Sequence, residues 1–297
     1  GRDEFLRLVE EEKKALSCKS FEIDTTAFDG PIPEPLKVAP KVEITDVAAF
    51  EAWKKSNVFQ QKQAGYVAIG IKVPVGDFYT DKARLLADLI KNYGANELRF
   101  SLRQDILIRN IKEENLVFFY QELAKLDYVK LGYNSTADIT ACPGTDTCNL
   151  GIASSTGIAT ELERVLATEY PQYNENKDIT IKISGCMNAC GQHNMAEIGF
   201  QGMSINSGKL VAPALQVLLG GGNLGNGQGR FADKVIKIPS RRGPEALRFI
   251  LNDFEANANG LPFLAYYDAK GEKYFFDLLT PLADITNLTE ADFVDWG

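Results

Sequence analysis

An α+β fold with two differently built parts is predicted for this chain, and three observations predict it. Between residues 65 and 126 the apolar residues switch period in the order strand, helix, strand, strand, helix. Beyond residue 137, short β-branched runs alternate with glycine- and cysteine-bearing loops and one long helical pattern. Four prolines, Pro31, Pro33, Pro35 and Pro40, crowd the stretch ahead of both parts and make it the best boundary in the chain. At 297 residues, 45% hydrophobic and 24% charged, the chain can bury a substantial core. That composition excludes a disordered polymer and a collagen-like repeat.

Each element has a local reason. Residues 4–16, EFLRLVEEEKKAL, read as a charged amphipathic helix with Phe5, Leu6, Val9 and Leu16 available for one face. Asp46 is placed to cap a helix over DVAAFEAWKKSNVF, because an Asp side chain accepts from the free N–H groups of a first turn. From residue 65, GYVAIGIKV alternates and is β-branched, which predicts a strand ending at Pro74 and Gly76. Thr80 opens the helix TDKARLLADLIKNYG, where Ala83, Leu85, Leu86, Leu89 and Ile90 hold helical spacing and Gly94 is a stop signal. ELRFSL and DILIRNI follow as strands and ENLVFFYQELAKL as a helix. This order is the α+β pattern of ferredoxin-like units. In the second part, the loop ACPGTDTC leads to a helix from about Ala153 to Glu169, stopped by Pro171. DITIKIS, AEIGFQGMSI, VAPALQVLLGG and KVIKI read as strands, and Pro244 opens a helix through about Ala256. Residues 220–229, with Gly220, Gly221, Gly222, Gly225, Gly227 and Gly229, are expected to form a loop. The tail that contains KYFFDLL carries no decisive pattern.

Charge narrows the function. A net charge of −8 argues against nucleic acid and against an anionic membrane surface, both of which call for clustered Lys and Arg. No run approaches the roughly 18 apolar residues of a membrane span. His193 is the only histidine, which excludes any two-His metal site. The chain opens Gly1-Arg2-Asp3-Glu4 without an apolar signal segment, so a cut within a longer polypeptide and a cytoplasmic location are expected.

Of the five cysteines, Cys18 stands alone and reads as an ordinary small side chain. The other four form Cys142-x5-Cys148 and Cys186-x3-Cys190. Disulfides, a structural zinc site and an iron–sulfur cluster compete for them. A chain with this much core does not need disulfides. Zinc knuckles favour C-x2–4-C spacing, which only the second pair meets. An iron–sulfur cluster needs four thiolates converging from loops. Pro143, Gly144, Gly151, Gly185 and Gly191 flank the cysteines, and glycine lets backbone N–H groups come close to sulfur. Iron–sulfur is the favoured reading.

ACPGTDTCNLG followed by ISGCMNACGQHNMAEIGF resembles the cysteine motifs of siroheme-dependent nitrite and sulfite reductases. QKQAGYVAIGIKVPVGDF with NELRFSLRQDILIRNI resembles the ferredoxin-like half-domain of the same family, and LLGGGNLG its Gly-rich segment. The resemblance runs from about residue 45 to 256 and is to the C-terminal half of the family. It implies a ferredoxin-like half-domain followed by an α/β iron–sulfur/siroheme domain. The corresponding limits are 1–45 for the N-terminal helix and connector, 46–135 for the half-domain, and 136–297 for the cluster domain with a C-terminal extension. It further implies that Cys142, Cys148, Cys186 and Cys190 hold a [4Fe–4S] cluster and that Cys190 bridges it to siroheme. Asn188 would lie against the siroheme. The implied reaction is the six-electron reduction of nitrite to ammonia or of sulfite to sulfide, with electrons from ferredoxin or a flavoprotein. The alternative is a cluster-binding electron-transfer or structural module without catalysis of its own.

The family is usually about twice as long as this chain, and its anion-gripping Arg and Lys lie mainly in its first half. The catalytic residues are therefore expected in an N-terminal half of the same enzyme, and the isolated chain is expected to be incomplete for catalysis. Arg99, Arg103 and Arg109 lie where that first half would place anion-binding residues, and read here as a solvated face. His193 is expected to serve as a hydrogen-bonding residue of the cluster loop rather than as a proton donor. Arg230, Lys234, Lys237, Arg241 and Arg242 form the most basic stretch, either a docking site for an acidic ferredoxin or ordinary surface.

Overall fold

The computed structural model describes residues 1–18, 20, 22–23, 31–208 and 210–297. Part of the connector lies outside these residues, and backbone contacts divide the chain into Gly1–Pro33 and Glu34–Gly297. The first unit carries helix α1 (Arg2–Ala15), with Asp3 and Glu4 in its first turn and Lys13 and Lys14 in its last, as the helix dipole favours. None of its residues is buried, and the expected apolar face leaves Phe5, Leu6 and Leu16 exposed.

In the second unit, α2 (Val47–Asn57) starts where Asp46 accepts from the Ala49 N–H at 2.9 Å. The sequence pattern carries this helix to Phe59, whereas the structure turns Val58–Gln60 into an edge strand, β1, paired with β2 (Tyr66–Ile71). Helix α3 (Thr80–Tyr93) ends at Gly94, and β3 (Leu98–Phe100), β4 (Ile106–Lys112) and α4 (Leu116–Lys125) follow. The sheet order is β1-β2-β4-β3, antiparallel throughout. Val67, Ile69 and Ile71 of β2 and Ile106, Ile108 and Ile111 of β4 meet Trp53, Leu86, Ile90 and Phe119 from the helices in one core. Full burial of such side chains contributes about 1.5–3 kcal/mol each.

In the second sheet, β5 (Thr140–Ala141), β6 (Ile181–Ser184) and β7 (Ile198–Ser207) are parallel, and β8 (Leu210–Leu219) and β11 (Asp233–Pro239) extend it antiparallel beyond β7. The strand order is β11-β8-β7-β6-β5. Helix α5 (Ser155–Glu169) makes the crossover from β5 to β6, capped by Ser154, whose hydroxyl accepts from Gly157 N. It packs Ile158, Leu162 and Val165 against the sheet. Residues 185–197 are the crossover from β6 to β7, close to the minimum of about a dozen that a parallel connection needs.

The glycine-rich segment is not a plain loop. It forms a hairpin of β9 (Gly222–Gly225) and β10 (Gln228–Arg230), turned by Asn226 and Gly227 at φ 52° and 74°. Asn-Gly with both residues left-handed is the turn whose twist matches flanking strands. Helices α6 (Gly243–Asn257), α7 (Phe263–Lys270) and α8 (Glu272–Leu279) follow, which places KYFFDLL in a helix. The tail then packs beside the start of α5. Asp295 accepts from Ser154 N at 2.7 Å, and Trp296 donates from its indole to Ser240 O at 3.0 Å.

Candidate functional site

Strands β5 and β6 lie side by side in parallel, with Thr140 opposite Lys182 and Ala141 opposite Ile183. Their carboxyl ends therefore leave the sheet at one edge, the position where open α/β sheets place their ligand sites. Cys142 directly follows β5, and Gly185-Cys186 directly follows β6. Parallel pairing thus brings together two cysteine pairs that are far apart in sequence.

The two loops touch through their backbones. Cys142 N donates to Ile183 O at 3.2 Å, and the N–H groups of Ile152 and Ala153 both donate to Gly185 O, at 2.8 and 3.1 Å. A Cβ on Gly185 would stand 2.8 Å from Gly144 Cα and 2.6 Å from Ala153 O. A Cβ on Gly151 would stand 2.8 Å from the Gly144 carbonyl carbon. Only glycine allows this approach. The Gly185 N–H donates to Cys142 Sγ at 3.2 Å.

All five cysteines are free thiols. Cys186 is buried, Cys142 half-buried, and Cys148 and Cys190 are exposed. Among the described residues no three His, Cys, Asp or Glu gather closely enough for a single metal ion. The thiolates of a four-iron cube sit on separate irons and need not meet at one point. Four thiols on two crossed, glycine-tightened loops, with a backbone N–H already aimed at one sulfur, fit that group. Asn188 and Met187 are exposed beside Cys190, and Ala189 between them holds a left-handed φ of 58°. Cys18 is exposed, with Sγ 2.9 Å from Ser20 O.

Two neighbours of the site carried no sequence signal. Gln104, left-handed at φ 71°, reaches from the β3–β4 turn and pairs with Ala141 as a strand would. Its Nε2 donates to Ala141 O at 2.8 Å, and its Oε1 accepts from Ala141 N at 3.0 Å. It thereby fixes the residue just before Cys142. Ser155 lies fully buried at the start of α5 and donates to Cys142 O at 2.6 Å.

The three arginines divide into a pair, Arg99 and Arg109, and a separate Arg103. Arg99 is exposed and pairs with Glu97 at 3.1 Å, and Arg109 approaches the same carboxylate at 3.6 Å. Arg103 donates to Ser135 O at 2.9 Å and borders a cavity of about 420 Å³ with Lys177, Lys182 and Glu197. Burial and the nearby Arg103 charge pull the Lys182 ammonium below the usual lysine range. His193 is only 3% exposed and its Nδ1 has no partner among the described residues. Burial pulls it down to about 4, so it is neutral near pH 7 and is not a charged proton donor there. Much of the basic stretch is engaged internally. Arg230 pairs with Asp268 at 2.8 Å, and Arg241 lies over the Trp296 ring at 4.4 Å. Arg242 donates to Leu282 O at 2.9 Å. No helix among the described residues is long and apolar enough to cross a membrane.

The model of the nitrite/sulfite reductase ferredoxin-like half domain matches residues 59–126, and that of the nitrite and sulphite reductase 4Fe-4S domain matches residues 132–261. The chain is 27% identical over 172 residues to the ferredoxin–nitrite reductase of Synechococcus elongatus, covering 57% of this chain and 33% of that protein. It is 29% identical over 207 residues to the sulfite reductase [ferredoxin] 2 of Mycolicibacterium paratuberculosis, covering 68% and 34%. The solved structure of the Mycobacterium tuberculosis NirA protein superposes with a TM-score of 0.65 at 24% identity, covering 83% of this chain and 43% of that one. The matched part of the chain spans about a third of the length of these curated relatives. Two adjoining family models thus match most of the chain, and it belongs to the nitrite/sulfite reductase family.

Proposed function

We propose that Cys142, Cys148, Cys186 and Cys190 hold a [4Fe–4S] cluster, that Cys190 and Asn188 border siroheme, and that the chain serves the six-electron reduction of nitrite to ammonia. The observation that carries this reading is the crossing of both cysteine loops at the carboxyl edge of β5 and β6. When bound, siroheme would supply an iron at which a small anion can be reduced by electrons delivered singly.

The chain's own residues do the rest. Gly185 N–H and the Gln104 clamp hold Cys142 in place, and sulfur that accepts such a bond is better stabilised when electron-rich. Cys190 and Asn188 are exposed, and so are free to meet a large planar group. Ferredoxin is the proposed electron donor, in keeping with the names of both relatives, and a flavoprotein is the alternative. The Mycolicibacterium relative supports sulfite as the second substrate reading. The groups that grip the anion are proposed to come from an N-terminal half of the enzyme, and a cytoplasmic location is proposed with it.

The test is anaerobic reconstitution of the chain with iron and sulfide, read by iron content and by electron paramagnetic resonance of the reduced cluster. One cluster per chain is expected, lost when any of the four cysteines is changed to Ser and retained in Cys18→Ser. Nitrite-dependent dye oxidation by the chain loaded with siroheme is expected to be weak. A cluster that survives substitution of the four cysteines overturns the reading, and full turnover by this chain alone overturns its incompleteness.

A further inference from the structure

The Ser155 hydroxyl occupies the point where the two cysteine loops cross. It is 1% exposed, on the first residue of α5. It donates to Cys142 O at 2.6 Å, and its oxygen is 3.4 Å from Cys142 Sγ. A Cβ on Gly144 would collide with it, and one on Gly185 would touch it at 3.4 Å. One oxygen therefore contacts the first cysteine of one pair and fills the space that a side chain on Gly144 or Gly185 would take.

A serine hydroxyl has one proton to donate. When Cys142 is a thiol, its S–H can donate to Ser155 while the hydroxyl donates to Cys142 O. A metal-bound thiolate has no proton, so sulfur and carbonyl compete for the single hydroxyl hydrogen. The more electron density sulfur carries, the better it competes, because hydrogen bonds to charged acceptors are the stronger ones. Reduction of a cluster raises that density.

We propose that Ser155 is a positioning residue for Cys142 that also sets the reduction potential, its hydroxyl turning from the Cys142 carbonyl toward the Cys142 sulfur as the cluster is reduced. This rests on the cluster reading above. No bond other than hydrogen bonds changes, and the electron comes from the enzyme's own donor.

The experiment compares the reconstituted full chain with Ser155→Ala by potentiometric titration followed by electron paramagnetic resonance. Deuterium exchange read in the hyperfine couplings of the reduced cluster is the second measurement. Ser155→Ala is expected to bind a cluster that is about tenfold harder to reduce, or about 59 mV for one electron, and to lose one exchangeable proton coupling. Ser155→Thr, which keeps the hydroxyl, is expected to restore both. An unmoved potential in a loaded Ser155→Ala chain overturns the proposal alone. Should Ser155→Ala fail to load, an unmodified chain with no exchangeable coupling beyond that of the Gly185 N–H overturns it equally. Failure of the unmodified chain to take up any cluster removes the cluster reading as well.

Discussion

Replacing Asp105 by Asn is expected to stabilise the protein at neutral pH. Asp105 immediately precedes β4 and is completely buried. Its Oδ1 accepts from Val73 N at 2.8 Å, while Oδ2 has no hydrogen-bond partner among the described residues. Burial, and then the facing Asp138 carboxylate, push its carboxyl up to about 9. The folded chain therefore keeps a proton there that the unfolded chain releases above about pH 4. Stability from this group is complete below about pH 4 and is lost as pH rises toward 9, at ~1.4 kcal/mol per pH unit. At pH 7 the accumulated loss has an upper bound of about 4 kcal/mol, which relaxation around the buried pair lowers. Asn has the shape of the protonated acid, accepts from Val73 in the same way, and offers an N–H toward Asp138. Lys72 keeps its contact with Glu163 at 3.3 Å in either case. Urea unfolding of the chain and of Asp105→Asn between pH 4 and pH 9 measures the difference. The two curves should meet near pH 4 and separate upward, with the variant more stable at pH 7. A variant that is less stable at pH 7, or a gap that does not change with pH, refutes the reasoning.

Two further substitutions test the scaffold. In Gly191→Ala the new methyl would overlap the Ile183 carbonyl oxygen and lie 3.1 Å from Cys142 N, so the loops must part. A loss of at least ~1–3 kcal/mol is expected, together with reduced iron uptake; an unchanged urea midpoint with full iron content contradicts it. Asp46→Ala removes the cap on α2 and should cost ~1 kcal/mol, again read from the urea midpoint, with no loss meaning that the cap is idle.

The half-domain was legible because its cores lie on periodic faces. Val67, Ile69 and Ile71 alternate inward from β2, and Leu86, Leu89 and Ile90 share the buried face of α3. The end of α2 is not legible in the sequence, since Val58 and Phe59 continue its apolar pattern while pairing with β2 takes them into a sheet. The glycine run read as a loop because glycine is a poor strand former. The Asn226-Gly227 turn and the facing strands outweigh that local preference.

Composition, periodicity and cysteine spacing determined on their own that this is an α+β chain with two close-spaced cysteine pairs. Such features depend on neighbours a few residues apart, and any reading of the chain exposes them. That β5 and β6 pair in parallel and bring both cysteine loops to one edge was decided only by the tertiary structure. So was the placing of Gln104 against Ala141, of Ser155 beneath Cys142, and of Arg241 over Trp296. The physical reason is range. A polar side chain looks the same in sequence wherever it points, and its partner here is supplied by strand pairing or by the returning tail.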